Sequence, residues 1–259
     1  MAKLPTLFLG HGNPMNALAS NTWTEAWARL GREIGTPRAV LCVSAHWYGP
    51  GTGVTAMAMP RTIDDFGGFP RELFEVQYPA PGDPVLAGRV RSLLAPVDVP
   101  LDEEWGLDHG AWSVLVKVFP GADVPVVQLR IDATKSPAWH YAMGRSLRPL
   151  RDEGVLIVGS GNLVHNLMEY AWNEPARPAY DWAEQFEATA RQLIAAGDHQ
   201  PLIDYDALGR EAQLSIPTPE HYLPLLYVLG AQEDGEAVTF PVKGVDGGSI
   251  SMLAVAAGL

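Results

Sequence analysis

The feature that most constrains the fold is a pattern that occurs three times: a short apolar run that ends in small residues and a histidine. In one case residues 39–43 (AVLCV) are followed by Ser44, Ala45 and His46. The other two cases are residues 7–11 (LFLGH) and 155–165 (VLIVGSGNLVH). Continuous apolar runs with β-branched residues are typical of strands that are buried on both faces of a parallel or mixed sheet. The pattern therefore predicts an α/β fold in which several strands end at one edge of the sheet.

The same pattern predicts a metal centre at that edge. Ligands of α/β proteins bind at the edge where the strands end, and the pattern brings His11, His46 and His165 there. Gly10 and Gly12 flank His11, so the backbone can pack close to a ligand. Because histidine is the commonest metal ligand, three imidazoles at one edge indicate a bound metal ion.

Strand and helix patterns alternate along the rest of the chain. We predict strands at 5–10, 39–44, 54–59, 97–101, 125–130, 155–160, 238–242 and 249–255. We predict helices at 22–34, 83–94, 111–118, 136–152, 181–196 and 222–229, the first with a capping box from Thr22 to Glu25, and an extended segment at 215–222. No repeat or linker interrupts this alternation. The expectation is a single catalytic α/β domain over residues 1–259, with a mixed, mostly parallel sheet and helices on both faces.

Composition excludes several classes of partner. The 259 residues carry a net charge of −12 and no block of Lys or Arg, so a nucleic-acid partner is not expected. Cys42 is the only cysteine, which leaves no internal disulfide and no cysteine-based zinc site. Neither a secretion signal nor an apolar run as long as a membrane span is present, so we expect a soluble cytoplasmic protein without a membrane partner. The sequence does not predict the oligomeric state.

A further candidate ligand lies at residues 218–221 (TPEH), where prolines stiffen the approach to a helix. Either His221 or Glu220 is a candidate ligand, although Glu220 could equally be a first-turn residue that the helix dipole favours. Histidine and carboxylate ligands without thiolates suit Fe(II), Mn(II) or Zn(II). Two histidines and one carboxylate form the facial arrangement of non-haem Fe(II) oxygenases. A catalytic zinc site fits these ligand types equally well.

The other histidines divide into one candidate and two exclusions. His109 lies in a glycine-flanked loop before a buried helix and is expected in the site. His140 is expected on the surface of a helix and His199 in an exposed turn, so neither is assigned to the site. The nucleophile elbow, the phosphate-binding loop and the complete dinucleotide fingerprint are all absent from the sequence.

Five segments together resemble the class III extradiol ring-cleavage dioxygenases, and in particular their bacterial and plant 4,5-DOPA dioxygenase branch. They are residues 7–15 (LFLGHGNPM), 44–47 (SAHW), 106–112 (GLDHGAW), 160–166 (SGNLVHN) and 217–224 (PTPEHYLP). The resemblance runs from about residue 5 to the C-terminus. It implies a mononuclear metal at one sheet edge: Fe(II) in the active enzyme, with zinc able to occupy the site in isolated protein. The implied substrates are O2 and a catechol such as L-DOPA, cleaved at the 4,5 position to 4,5-seco-DOPA.

The resemblance also implies roles for five residues. His11 and His46 correspond to the two firm metal ligands, and His165 to either an additional ligand or the acid/base histidine. His109 corresponds to a second active-site histidine. Better-known members of the class have a glutamate as the last ligand, so Glu220 and His221 compete for that position.

Other residues near these motifs have two interpretations each. Trp47, Tyr48, Phe66 and Phe69 either wall an aromatic pocket or belong to the core. Arg61, Asp64 and Asp65 are candidates for binding the charged groups of an amino-acid substrate.

Two other functions compete with ring cleavage. One is a zinc-dependent hydrolase that uses the same histidines, which would be active with zinc and inactive with iron. The other is a non-catalytic binding protein like the Memo-like members of the superfamily. That function predicts a basic or apolar docking stretch, which the sequence lacks.

Overall fold

An eight-stranded mixed sheet runs through the structure, a computed structural model that describes residues 3–174 and 176–259. The strands are β1 (Thr6–Gly10), β2 (Ala39–Gly49), β3 (Val54–Thr55), β4 (Leu101–Asp102), β5 (Val126–Asp132), β6 (Val155–Gly161), β7 (Val238–Val242), β8 (Val245–Asp246), β9 (Ile250–Ser251) and β10 (Ala254–Ala257). Of these, β8 and β9 form a separate two-stranded hairpin.

The large sheet has the order β4-β3-β5-β2-β6-β1-β10-β7. Its four central strands, β5, β2, β6 and β1, are parallel to one another, whereas β10 and β3 are antiparallel to their neighbours β1 and β5. The three strands that carry the histidine pattern, β2, β6 and β1, are therefore adjacent and end at the same edge. This arrangement confirms the predicted mixed, mostly parallel sheet.

Helices cover both faces of the sheet, as the alternation of patterns predicted. They are α1 (Thr22–Ile34), α2 (Arg71–Phe74), α3 (Pro84–Leu93), α4 (His109–Val118), α5 (Pro137–Leu147), α6 (Asp181–Ala196), α7 (Gln200–Ile203), α8 (Arg210–Ser215) and α9 (Leu223–Ala231). Short 3-10 helices lie at Pro14–Ala17, Arg148–Arg151 and Tyr205–Leu208. No helix in the described part of the chain is both long and apolar enough to cross a membrane.

The core forms two apolar layers, one on each face of the sheet. In β2, Val40 and Cys42 belong to the layer that contains Trp112 of α4, whereas Leu41 and Val43 belong to the layer with α5, α6 and α9. All four strand residues are fully buried. Because successive strand side chains point to opposite faces, an unbroken apolar run is what a strand between two helical layers requires.

Several predicted boundaries were wrong for identifiable reasons. β2 continues through His46 to Gly49 instead of ending at residue 44. The predicted strand at 97–101 is only β4, because Pro96 and Pro100 bracket that segment and proline cannot donate to a strand ladder. The strand predicted at 54–59 is only the two-residue β3.

Two local predictions around helices were also wrong. The capping box of α1 is formed by Asn21 and Thr24 instead of Thr22 and Glu25: Asn21 Oδ1 accepts from Thr24 N at 3.0 Å, and Thr24 Oγ1 accepts from Asn21 N at 3.0 Å. Asparagine is as good an N-cap as threonine, so the pattern was one residue out of register. The segment at 215–222, predicted as extended, consists of the end of α8 followed by bends and turns.

Candidate metal centre

His11 immediately follows β1 and is 2% exposed. Its backbone N donates to Gly161 O at 3.0 Å, which continues the pairing between β1 and β6. Its Nδ1 lies 3.0 Å from Ser160 Oγ, and the Ser160 hydroxyl donates to Gly110 O. Since that hydroxyl proton is already used, Ser160 Oγ accepts a hydrogen bond from the protonated Nδ1 of His11, and the lone pair of His11 is left on Nε2.

His46 enters the site from within β2. The register between β2 and β5 shifts between Val43 and Tyr48, so a local irregularity surrounds His46. Such bulges re-aim side chains beside active sites, which explains how a strand residue reaches the edge of the sheet. His46 Nδ1 lies 3.3 Å from Asp65 Oδ2, and its Nε2 lies 3.3 Å from His11 Nε2. A carboxylate on Nδ1 fixes the tautomer whose Nε2 can bind a metal.

The two facing nitrogens fit one divalent metal ion. Two Nε2 atoms without protons cannot hydrogen-bond to each other, but a separation of 3.3 Å suits two ligands that each bind a metal at about 2.0–2.1 Å. Burial lowers the pKa of His11 well below its ordinary value, and burial together with His109 lowers the pKa of His46 to about 3. Both imidazoles are therefore neutral at pH 7, as metal binding requires.

His221 presents a third imidazole, and Glu220 lies behind it. The His221 ring centroid is 5.2 Å from that of His11 and 5.1 Å from that of His46. His221 Nδ1 lies 3.2 Å from Glu220 Oε1, which also accepts from Thr218 Oγ1 at 2.7 Å. His221 Nε2 is buried and has no hydrogen-bond partner among the described residues. A buried nitrogen without a partner is costly, and a metal ion would satisfy it.

His165 stacks on His221, with ring centroids 3.5 Å apart and an angle of 7° between the planes. Its backbone N donates to Ser215 O at 2.9 Å, and its backbone pairs with Ile250 in an isolated bridge. Burial lowers the pKa of His165 to about 4, with Glu220 acting weakly in the opposite direction. His165 is thus a neutral imidazole beside the group formed by His11, His46 and His221.

His109 is the first residue of α4 and not a loop residue as predicted. Asp108 is the N-cap of this helix, and its Oδ1 accepts from Ala111 N. The His109 ring centroid is 3.7 Å from that of His46, and nitrogens of His11, His46 and His109 all lie within 4.8 Å of one another. The next residue must be glycine, because a Cβ on Gly110 would come within 2.8 Å of the His46 ring.

Asp65 joins two of these histidines. Its Oδ2 lies 3.3 Å from His46 Nδ1 and 3.0 Å from His109 Nδ1, while its Oδ1 accepts from His109 N at 2.8 Å. Burial would raise the pKa of Asp65, but the contacts with His109 and His46 lower it below its ordinary value. Asp65 is therefore a carboxylate that faces the Nδ1 atoms of two imidazoles. The sequence predicts Asp65 only as a contact for the substrate, because no spacing links position 65 to positions 46 and 109.

The five histidines line one cavity of about 210 Å³. Its other walls are mainly aromatic and apolar, with lining residues Phe66, Phe69, Pro14, Leu167, Tyr170, Trp172 and Ile250. Half of the predicted aromatic wall is thus present.

The remaining candidates for the pocket lie elsewhere. Trp47 is buried and stacks on Trp105, and Tyr48 packs against the core. Arg61 is exposed and donates to Trp105 O at 3.0 Å, and neither Arg61 nor Asp64 lines the cavity.

His140 and His199 do not line the cavity, but their predicted surroundings were wrong. His140 is fully buried instead of lying on the helix surface, and its Nδ1 is 2.9 Å from the Tyr227 hydroxyl. His199 is half-buried instead of exposed, and its Nδ1 is 3.0 Å from the Tyr141 hydroxyl. Both errors arise because α9 and α5 supply partners that local sequence does not reveal.

Comparison with known proteins agrees with this geometry. Residues 8–247 match the family described as the catalytic LigB subunit of aromatic ring-opening dioxygenase. The chain is 53% identical to "4,5-DOPA dioxygenase extradiol" of Escherichia coli K12, over 99% of this chain and 95% of that protein. It is 35% identical to "4,5-DOPA dioxygenase extradiol" of Beta vulgaris, over 95% and 93% of the two chains.

A solved structure shows the same fold. The crystal structure of an uncharacterized protein from Escherichia coli K12 superimposes with a TM-score of 0.85 at 48% identity, covering 98% of this chain and 99% of that one. The family match spans almost the whole chain, including all five histidines of the cavity. The chain therefore belongs to the LigB family of aromatic ring-opening dioxygenases.

Proposed function

We propose that this protein is an extradiol dioxygenase that cleaves the ring of a catechol with O2, and that L-DOPA is cleaved at the 4,5 position to 4,5-seco-DOPA. The observation that carries the proposal is the pair of Nε2 atoms of His11 and His46, 3.3 Å apart in a cavity with aromatic walls. The names of the relatives from Escherichia coli and Beta vulgaris supply the substrate. A single α/β domain over residues 1–259 carries the whole site in this proposal.

The metal ligands in this proposal are His11, His46 and His221. The partnerless Nε2 of His221 supports its choice over Glu220, whose Oε1 faces the other nitrogen of the same ring. Glu220 then orients His221 as Asp65 orients His46. The metal is Fe(II) in the active enzyme, since histidine and carboxylate groups without thiolates suit it, and zinc fits the same ligands in isolated protein. When bound by these three imidazoles, Fe(II) would supply the redox chemistry that activates O2 toward the catechol.

Proton transfer in this proposal belongs to two histidines. His165 is a neutral imidazole because burial lowers its pKa to about 4, and its position beside the proposed metal ligands suits it to take a proton from a catechol hydroxyl and to return it later. Its stacking on His221 holds the ring beside the metal ligands. His109 is the second active-site histidine, with Nδ1 facing Asp65 and its ring beside His46. The shared contact with Asp65 ties the orientation of His109 to that of His46.

Substrate binding depends on the aromatic part of the cavity. Phe66 packs edge-on against both Phe69 and His109, with ring centroids 5.5 Å and 5.4 Å away. A planar catechol ring packs well against such faces, and these side chains also exclude water from the metal side of the cavity. The cavity therefore suits a small aromatic substrate and O2.

The direct test is metal reconstitution. Apoprotein is loaded anaerobically with Fe(II) or with Zn(II), exposed to air, and assayed with L-DOPA and other catechols for the absorbance of a muconic semialdehyde product. We expect cleavage with iron and none with zinc. His199→Ala is the matched control, because His199 lies outside the cavity and this variant should retain activity. Activity with zinc that is lost with iron would instead support a hydrolase.

A further inference from the structure

The cavity contains one carboxylate that the metal centre does not use. Asp246 lies at the end of β8, lines the same cavity as the five histidines, and is half-buried. Of the described residues that line the cavity, Asp246 is the only carboxylate, and none is Lys or Arg. Asp246 also forms no ion pair within the described part of the chain. The part of the cavity outside the histidine group thus carries a carboxylate that is not part of an ion pair with the described residues and has no Lys or Arg beside it in the cavity lining.

The position of this carboxylate is fixed by hydrogen bonds. Asp246 Oδ2 accepts from the Tyr170 hydroxyl at 2.8 Å. Burial and the contact with Asp246 raise the pKa of Tyr170, so the hydroxyl stays a neutral donor. Trp172 packs edge-on against the Tyr170 ring at 4.8 Å and also lines the cavity. Tyr170 therefore holds one oxygen of Asp246 and leaves Oδ1 available for a second donor.

The hairpin that carries Asp246 is tied to the segment that carries His165. Asp246 pairs with Ile250 in the hairpin, and Ile250 pairs with His165 in an isolated bridge. Farther along, Ser249 Oγ donates to Asn166 O at 2.7 Å. These bonds fix the distance between the carboxylate and the proposed acid/base histidine. If the ring of a substrate lies beside His165, the length of its side chain therefore decides whether the end of that side chain reaches Asp246.

We infer that Asp246, held by Tyr170, binds the side-chain ammonium group of the substrate. This inference rests on the proposed ring cleavage. The cavity then selects catechols with a cationic side chain over catechols with an acidic one. The buried side chain of Ile250 in the cavity wall strengthens this interaction, because charges attract more strongly where water is scarce. An acidic side chain would face Asp246 with no Lys or Arg among the described residues that line the cavity. The carboxylate of an amino-acid substrate contributes little to recognition, since no basic side chain lines the described cavity.

The test compares catechols that differ only in side-chain charge. kcat/KM is measured for dopamine (cationic), L-DOPA (zwitterionic), 4-methylcatechol (neutral) and 3,4-dihydroxyphenylpropionate (anionic). In Asp246→Asn, we expect the ratio of kcat/KM for dopamine to that for 4-methylcatechol to fall about 10–100-fold, mainly through KM, as for the loss of one charge-assisted hydrogen bond. The discrimination against the anionic catechol should fall as well. Asp234→Asn, which changes an exposed carboxylate outside the cavity, should leave both ratios unchanged.

A second variant and a second readout keep the two proposals separable. Tyr170→Phe retains the carboxylate of Asp246 but removes the hydrogen bond that fixes its position. We therefore expect a smaller fall in the same ratio of kcat/KM values. It also serves if Asp246→Asn does not fold. Dopamine binding to zinc-loaded protein, measured by calorimetry, tests Asp246 without turnover. Failure of the iron-loaded wild type to cleave any of the four catechols would contradict ring cleavage and leave the binding test of Asp246 standing. An unchanged dopamine ratio and unchanged dopamine affinity in both variants would overturn the role of Asp246.

Discussion

Replacing Asp65 with asparagine tests whether one carboxylate couples two histidines of the metal centre. Asp65 Oδ2 lies 3.3 Å from His46 Nδ1 and 3.0 Å from His109 Nδ1. Asparagine keeps the size of the side chain and an acceptor for the backbone N of His109, which donates to Oδ1 at 2.8 Å. The substitution therefore removes the negative charge facing both imidazoles while the loop remains anchored.

The expected loss follows from these contacts. A carboxylate on the far nitrogen of a ligating histidine fixes its tautomer and raises its basicity, and removing such a partner typically costs about 10–100-fold in metal affinity or activity. For Asp65→Asn we expect metal affinity to fall by about 10–100-fold. The new amide can donate to His46 Nδ1, which favours the tautomer whose Nε2 carries a proton and cannot bind a metal. Since His109 is disturbed as well, turnover with saturating Fe(II) should also fall, by about tenfold or more.

The assay has two independent readouts. Zinc affinity is measured by competition with a chromophoric chelator, and ring cleavage is measured on Fe(II)-saturated protein. Asp64→Asn is the matched control, since Asp64 is the adjacent aspartate, is exposed and does not line the cavity. We expect Asp64→Asn to behave as wild type in both assays. Equal zinc affinities and equal turnover in the two variants would refute the coupling role of Asp65.

Four further predictions follow from the site and the core. His11→Ala or His46→Ala should abolish binding of about one divalent metal per chain, and full metal occupancy in both variants would contradict their role as ligands. His165→Gln should keep metal and catechol binding but slow turnover by about 10²–10⁴-fold; loss of metal would make it a ligand, and unchanged turnover would exclude both roles. Glu220→Gln should weaken zinc binding by about 10–100-fold without abolishing it, so complete loss of metal would identify Glu220 as the ligand. Burial lowers the pKa of His140 to about 4, below the ordinary 6.5, so the unfolded state binds more protons and stability falls as the pH drops from about 6.5 to about 4. In urea unfolding, His140→Gln should reduce the change of the unfolding free energy with pH by up to about 1.4 kcal/mol per pH unit while metal content stays normal. An unchanged pH dependence would show that His140 is not a source of the acid sensitivity.

The architecture was predictable because apolar runs report burial directly. The runs in β1, β2 and β6 identified three strands that end at one edge of the sheet, and the helical spacing in α6 gave its bounds correctly. The short helices α2, α7 and α8 were missed, since elements of four to six residues are too short to show a helical period. The end of β2 was missed because small residues and a histidine follow its apolar part, although the ladder continues through a bulge.

The site was predictable only in part, for reasons of geometry. His11 and His46 follow from their places at strand ends, which sequence can reveal. Glu220 and His221 are adjacent, so the turn around them decides which of the two side chains faces the cavity. The backbone of this turn packs so closely on Gly161 that a Cβ there would collide with His221 O. The contacts of Asp65 join distant parts of the chain, and no local pattern encodes them.

The most direct test of the proposed ring cleavage is isotope labelling with ¹⁸O₂. Fe(II)-reconstituted protein is given L-DOPA under ¹⁸O₂, the product aldehyde is trapped at once by borohydride, and the product is analysed by mass spectrometry. We predict that both labelled atoms enter one product molecule, one in the new carboxylate and one in the hydroxyl group that borohydride forms from the aldehyde, and that His11→Ala yields no labelled product. Consumption of L-DOPA without label in the product, or equal labelling by His11→Ala, would contradict extradiol cleavage at this metal centre.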